Sequence, residues 1–94
     1  MFEGLLKGKR GLIMGVANNK SIAWGIAQSC SIAGAELAFT YQSDSLKKRL
    51  IPLAEQIGSN ILIECDVGNP ASIDSVFFNL RELWGGMDFL VHAI

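Results

Sequence analysis

Short apolar runs alternate with stretches of helical periodicity along the whole chain, and this alternation narrows the possible folds more than any other feature. Gly11-Leu12-Ile13-Met14-Gly15 is a continuous apolar run of the kind expected of a strand buried on both faces. Ile22, Ile26 and Ala33 then follow helical spacing with the small residues Ala23, Gly25 and Ala27, and Gly34 stands where a glycine closes a helix. Glu36 to Tyr41 reads as a second strand. Leu46, Leu50, Leu53, Ala54 and Ile57 form one helical stripe, in which Pro52 should kink or restart the helix because it has no N–H to donate. Ile61 to Cys65 reads as a third strand. Asn69-Pro70 is a cap followed by proline at the first helical position, and Ile73, Val76, Phe77, Leu80 and Leu83 supply that helix with an apolar face. Gly85-Gly86 ends it, and Phe89 to Ile94 begins a fourth strand. The pattern is βαβαβαβ. Right-handed crossovers turn such units into an α/β, doubly wound parallel sheet of strand order 3-2-1-4, and ligands bind such sheets at the carboxyl ends beside the switch between strands 1 and 4.

Composition agrees and excludes several functions. The 94 residues carry a formal charge of −1 with no basic run, which leaves no electrostatic footprint for nucleic acid or an anionic membrane. The length admits one domain, residues 1–94. The hydrophobic fraction of 50%, about 60% with Gly counted and Tyr left out, exceeds the ~45–50% of ordinary domains. Either both faces of a sheet are covered, or the chain lacks a partner surface. Cys30 and Cys65 lack metal-ligand or C-x-x-C spacing and read as buried reduced thiols, and no metal site is expected. No apolar run reaches the ~18–20 residues of a membrane span. Lys7, Lys9 and Arg10 before an apolar stretch imitate a signal peptide, but the stretch is minimal and runs into Asn18, Asn19 and Lys20. A cytoplasmic chain is expected.

The segment joining strand 1 to helix 1, Gly15 to Gly25, carries the functional signal. A dinucleotide-binding loop needs a glycine for the turn off the strand, a small residue where pyrophosphate meets backbone, and another where helix meets sheet. Gly15, Ser21 and Gly25 can fill these roles in turn. Ser21, as N-cap, would leave N–H groups and a positive helix end facing an anion. Asn18 and Asn19 tolerate left-handed backbone and would let the loop bulge. A P-loop is the poorer reading, because Asn19 stands where glycine must precede Lys20-Ser21 and the interval is one residue short. An ordinary βα loop with a capped helix is the structural alternative.

These residues carry a family resemblance. Gly15-x₅-Ser21-x-Ala23-x-Gly25 departs from the common G-x-x-x-G-x-G form of short-chain dehydrogenases and resembles the variant of bacterial enoyl-acyl-carrier-protein reductases. Gly34 to Gln42, Cys65-Asp66-Val67 and Phe89-Leu90-Val91-His92 resemble the same family, in order over the whole chain.

The resemblance implies a cofactor site. Gly15 and the Ser21-Ile22 pair would face the pyrophosphate and adjoining ribose. Gln42 would take the place where NAD sites often carry an acid, able to bond ribose hydroxyls but without the charge that repels a 2′-phosphate. The Tyr41-Gln42 pair is similar to NADH-preferring members, with NADPH not excluded. Lys47, Lys48 and Arg49 read as a solvated helix face. Asp66 would accept the adenine amine with Val67 on the ring, and bonding to nearby backbone N–H groups is the equal alternative. Ala93 and Ile94 would touch the ribose and nicotinamide side. His92, the only histidine, is expected to be hydrogen-bonded on a buried strand and not to act as a base. Trp24, Trp84, Phe77 and Phe78 read as core or interface.

The implied activity is hydride transfer from NADH to the β-carbon of a trans-2-enoyl thioester on acyl carrier protein, by a homotetramer. The family's catalytic Tyr-x₆-Lys pair lies well beyond strand 4, whereas the only tyrosine here is Tyr41 on strand 2, so no catalytic residue is expected in this chain. The chain therefore reads as the amino-terminal part of a reductase domain, ending within or just after an apolar strand that natural folds usually cover. A non-catalytic binding module and another short-chain reductase, such as a 3-oxoacyl reductase, are the alternatives.

Overall fold

The computed structural model describes residues 4–93. Its elements are β1 (Arg10–Met14), α1 (Ile22–Ile32), β2 (Glu36–Tyr41), α2 (Asp44–Gln56), β3 (Leu62–Glu64), α3 (Pro70–Trp84) and β4 (Phe89–His92). The strands form one sheet in the order β3-β2-β1-β4, all neighbours parallel. This is the doubly wound arrangement expected from the alternation of elements.

Side chains alternate across the sheet and so divide the core in two. Ile13 stands beside Phe39 and Val91, and with Leu37 these face α1 and α2 through Ala23, Trp24, Ala27, Leu50 and Ala54. Leu12, Met14 and Ala38 point the other way, onto Val76 and Leu80 of α3 and onto Cys65. A Cβ on Gly11 would overlap the ring of Phe89, its partner across β1 and β4. Glycine there lets the ring lie across the strand.

Asn69 caps α3 by accepting the Ala71 N–H at 3.0 Å, with Pro70 at the first helical position, as its sequence predicts. α2 runs as one helix through Pro52, so of the kink or restart expected there the restart does not occur, and Pro52 is exposed. At the amino ends of the strands, Arg10 of β1 ties β2 and the end of α3 to Asp88, the residue before β4. Its Nε donates to Glu36 Oε2 at 3.2 Å, its Nη1 to the Trp84 carbonyl at 2.8 Å, and its backbone N–H to Asp88 Oδ2 at 2.8 Å. The guanidinium also lies 5.9 Å from the centroid of the Trp84 ring.

Several burial expectations need correction. Ile22 is 80% exposed and Gly25 is exposed with open space around it; Ala23 and Ala27 make the close helix-to-sheet contact instead. Leu83 is 61% exposed, and Phe77 is 40% exposed at a groove it shares with Leu90 and His92, where α3, packed on β3, β2 and β1, leaves the flank towards β4 open. For the same reason His92 is exposed: β4 is the edge of the sheet, and no hydrogen bond holds the imidazole among the described residues. Cys65 is buried as expected. Cys30 is only half-buried, and desolvation pushes its thiol above the usual cysteine pKa. Both thiols are free. Among the described residues, no cluster of His, Cys, Asp and Glu could hold a metal, and no helix is long and apolar enough to cross a membrane.

Candidate functional site

A crevice of about 220 Å³ opens at the carboxyl ends of the strands, lined by Gly15, Val16, Ala17, Thr40, Tyr41, Gln42, Leu46 and Ala93. It lies where β1, β2 and β4 end, beside the switch point. Gly15 turns the chain off β1 at φ +109°, a conformation that L side chains rarely adopt.

The loop after Gly15 holds its shape with its own side chains. Asn18 Oδ1 accepts the Lys20 N–H at 2.8 Å, making a local turn, and no residue other than glycine has a positive φ among the described residues. The left-handed bulge expected of Asn18 and Asn19 is therefore not formed, since a side-chain turn replaces it. Ser21 is the N-cap of α1 by position, but its hydroxyl does not cap the helix. Oγ accepts the N–H groups of Ala17 at 2.9 Å and Asn18 at 3.0 Å instead.

Two consequences follow from this reversal. A hydroxyl has two acceptor lone pairs, so Ser21 can offer an incoming group only its O–H as donor. The N–H groups of Ile22 and Ala23 meanwhile have no acceptor among the described residues, since the first bonds of the helix start at Trp24 and Gly25. With no acid in the first turn of α1 to compensate the helix dipole, the loop presents donors and a positive end. Such a surface suits an anion. Replacing Ser21 by alanine removes the acceptor for two amides, of which Ala17's is in half-buried surroundings. Ser21→Ala is expected to cost about 1–2 kcal/mol and to speed amide exchange at Ala17 and Asn18 selectively. Denaturant unfolding and hydrogen exchange check this.

The other predicted site residues fall in three places. Gln42 is exposed on the crevice wall, and Ala93 lines it from the end of β4. Asp66 lies at the end of β3, where Oδ1 accepts the Gly68 N–H at 2.9 Å and its own N–H donates to Ser72 Oγ at 2.9 Å. Val67 faces a separate apolar groove with Leu12, Met14, Ile73, Leu90 and His92. Ile94 lies outside the described residues. The crevice thus gathers Gly15, Gln42 and Ala93, with Ser21 and Ile22 on the adjoining loop and helix start, and it does not include Asp66 or Val67.

Sequence reasoning missed Val16, Ala17, Thr40 and Leu46 as wall residues; their apolar or strand positions look like core. It also misplaced Lys47. Lys48 and Arg49 are exposed as expected, but Lys47 is half-buried with Nζ 5.4 Å from the centroid of the Tyr41 ring. By count, Tyr41 and Lys48 stand seven residues apart, the interval of a Tyr-x₆-Lys pair. Tyr41 ends β2, however, and Lys48 lies on α2. Such an interval aligns two side chains only when one helix carries both, and here it does not.

Comparisons with known proteins point to one family. A family model described as enoyl-(acyl carrier protein) reductase matches residues 15–94. The NADH enoyl-acyl-carrier-protein reductase 1 of Rhizobium meliloti is 59% identical over 92 residues, 98% of this chain and 34% of that protein. The corresponding Escherichia coli protein is 53% identical, covering 97% of this chain and 35% of its own length. The chain spans about a third of the length of the curated relatives it matches. Among solved structures, FabI from Candidatus Liberibacter asiaticus superposes with a TM-score of 0.94 at 54% identity, over 96% of this chain and 35% of that one. The reductase from Anaplasma phagocytophilum, solved in complex with NAD, gives 0.92 at 50% identity, over 96% and 34%.

Proposed function

This chain belongs to the enoyl-(acyl carrier protein) reductase family, and we propose that it forms the adenosine and pyrophosphate side of an NADH site in an enzyme that reduces trans-2-enoyl thioesters on acyl carrier protein. The observation that carries this reading is the anion-ready loop. Gly15 turns the chain, Ser21 is left as a donor, and the Ile22 and Ala23 amides stand open beside the crevice that Gln42 and Ala93 line.

These residues suit a dinucleotide. When bound, the cofactor supplies a hydride from its dihydronicotinamide. The chain's own residues bind and orient: the α1 amides and Ser21 take the pyrophosphate, and Gln42 bonds ribose hydroxyls. Asp66 keeps Oδ2 for the adenine amine while Oδ1 holds its turn, with Val67 near the ring, and Ala93 faces the ribose from the crevice wall. Reduction builds negative charge on the thioester oxygen, which requires a hydroxyl donor and a cation in one place. Tyr41 and Lys48 do not supply that arrangement. The reading therefore makes this chain the amino-terminal part of a single dinucleotide-binding reductase domain, with catalytic residues elsewhere. Homotetramer assembly and a cytoplasmic location belong to the same proposal.

Backbone amide shifts during NADH titration of the 94-residue chain test it. Weak binding, with changes confined to Gly15–Ala23, Thr40–Leu46, Asp66–Val67 and Ala93, is the expected result. Shifts centred on another surface, or none at millimolar NADH, would overturn it. The purified chain is also expected to consume no NADH with crotonyl thioester, and measurable turnover would refute the placing of catalysis outside these residues.

A further inference from the structure

One polar side chain of the crevice has no part in the cofactor reading above. Thr40 lies near the end of β2, and among the described residues it is the one buried side chain that is not apolar, at 5% exposure. It lines the crevice beside the apolar Val16, Leu46 and Ala93. Its hydroxyl forms no hydrogen bond with any described residue, yet no fully enclosed side-chain oxygen or nitrogen among them goes without a partner. The Thr40 oxygen is therefore not enclosed, and what exposure the residue keeps opens where it meets the crevice. The backbone nearby is unsatisfied too. Pairing of β1 with β2 runs from Arg10↔Glu36 to Ile13↔Phe39, and Gly15, two residues on, has no acceptor for its N–H among the described residues.

Packing does not require this hydroxyl. A strand favours a β-branched side chain, which valine supplies equally well, and a buried polar group without a partner carries a cost that valine avoids. A polar group of a ligand seated in the crevice would offset that cost. We propose that Thr40 is a further binding residue of this site, its hydroxyl hydrogen-bonding the adenosine part of the bound nucleotide. This rests on the cofactor reading above. The division of labour follows from position. Thr40 shares its wall with Tyr41 and Leu46, whose apolar surfaces suit a ring system, whereas the open Ile22 and Ala23 amides stand at the positive end of α1 and suit the phosphates.

Paired titrations with ADP and inorganic pyrophosphate test this, followed through the amides of residues 15–23 and 40–46. Thr40→Val keeps the β-branched shape and removes the hydroxyl. It should weaken ADP about three- to tenfold and pyrophosphate less than twofold. Its melting temperature should not fall, since no hydrogen bond within the chain is lost. Thr40→Ser keeps the hydroxyl and removes a methyl group; it should hold the ADP affinity within about twofold while the melting temperature drops. ADP bound by Thr40→Val as tightly as by the unsubstituted chain would overturn the inference and leave the cofactor reading standing. Equal loss of both probes would make Thr40 a residue that shapes the loop and would overturn the inference too. Failure of the unsubstituted chain to bind ADP at millimolar concentration would end both.

Discussion

Gly15→Val is expected to abolish nucleotide binding while the sheet stays assembled. Gly15 sits at φ +109°, and a β-branched side chain is a steric outlier there. Holding that conformation would cost on the order of 1–3 kcal/mol, so the loop will instead relax to negative φ. The relaxed turn would displace the loop and the start of α1, and the new side chain enters the crevice wall itself. Binding should fall by about a hundredfold or more, since an error of about 1 Å in positioning is enough for that. The NADH titration should then show no shifts up to millimolar concentration, while the melting temperature drops by a few degrees only. Retained binding would mean that the turn at Gly15 does not aim the loop.

The second large effect is on stability. Among the described residues Phe39 is the largest fully buried side chain, at the centre of β2, with its ring centroid 6.4 Å from that of Trp24. It joins the sheet to α1 and α2 through Ile13, Leu50 and Ala54. Phe39→Ala removes those contacts and leaves a cavity that two helices and a strand cannot collapse to fill. The expected loss is about 3–5 kcal/mol. Small domains have only about 5–15 kcal/mol in total, so thermal unfolding should move down by on the order of 20 °C. Leu90→Ala, at a side chain already 43% exposed on the edge strand, should cost far less. Circular dichroism melts of the two variants side by side would test the contrast, and equal losses would contradict it.

Topology was legible because it depends on order along the chain. Four apolar runs separated by helical periods, with one permitted crossover hand, leave little choice but 3-2-1-4. Asn69-Pro70 marked the start of α3 because a cap and a fixed φ act locally. What depends on distant neighbours was not legible. The exposure of His92 follows from β4 being an edge, which no local pattern around His92 reveals. Gly25 has the right spacing for a helix-to-sheet contact, but helix phase turns Ala23 and Ala27 inward instead. Ser21 was found by type and position, yet the direction of its hydroxyl depends on where the Ala17 and Asn18 amides come to rest. The crevice was half readable for the same reason: Gly15 and Gln42 carry chemistry, whereas Leu46 and Val16 only bound a volume.

Arg10 lies at the far end of the sheet from all of this. It joins the starts of β1, β2 and β4 to the end of α3, using one side chain and its own amide. Strand alignment is thereby set at one pole of the domain, opposite the crevice that the proposed function assigns to the ligand, with Leu12 and Ile13 between. On the proposed function, substitutions at the carboxyl pole should change ligand contact without disturbing how the strands are matched, whereas substitutions of Arg10 should surface as folding defects.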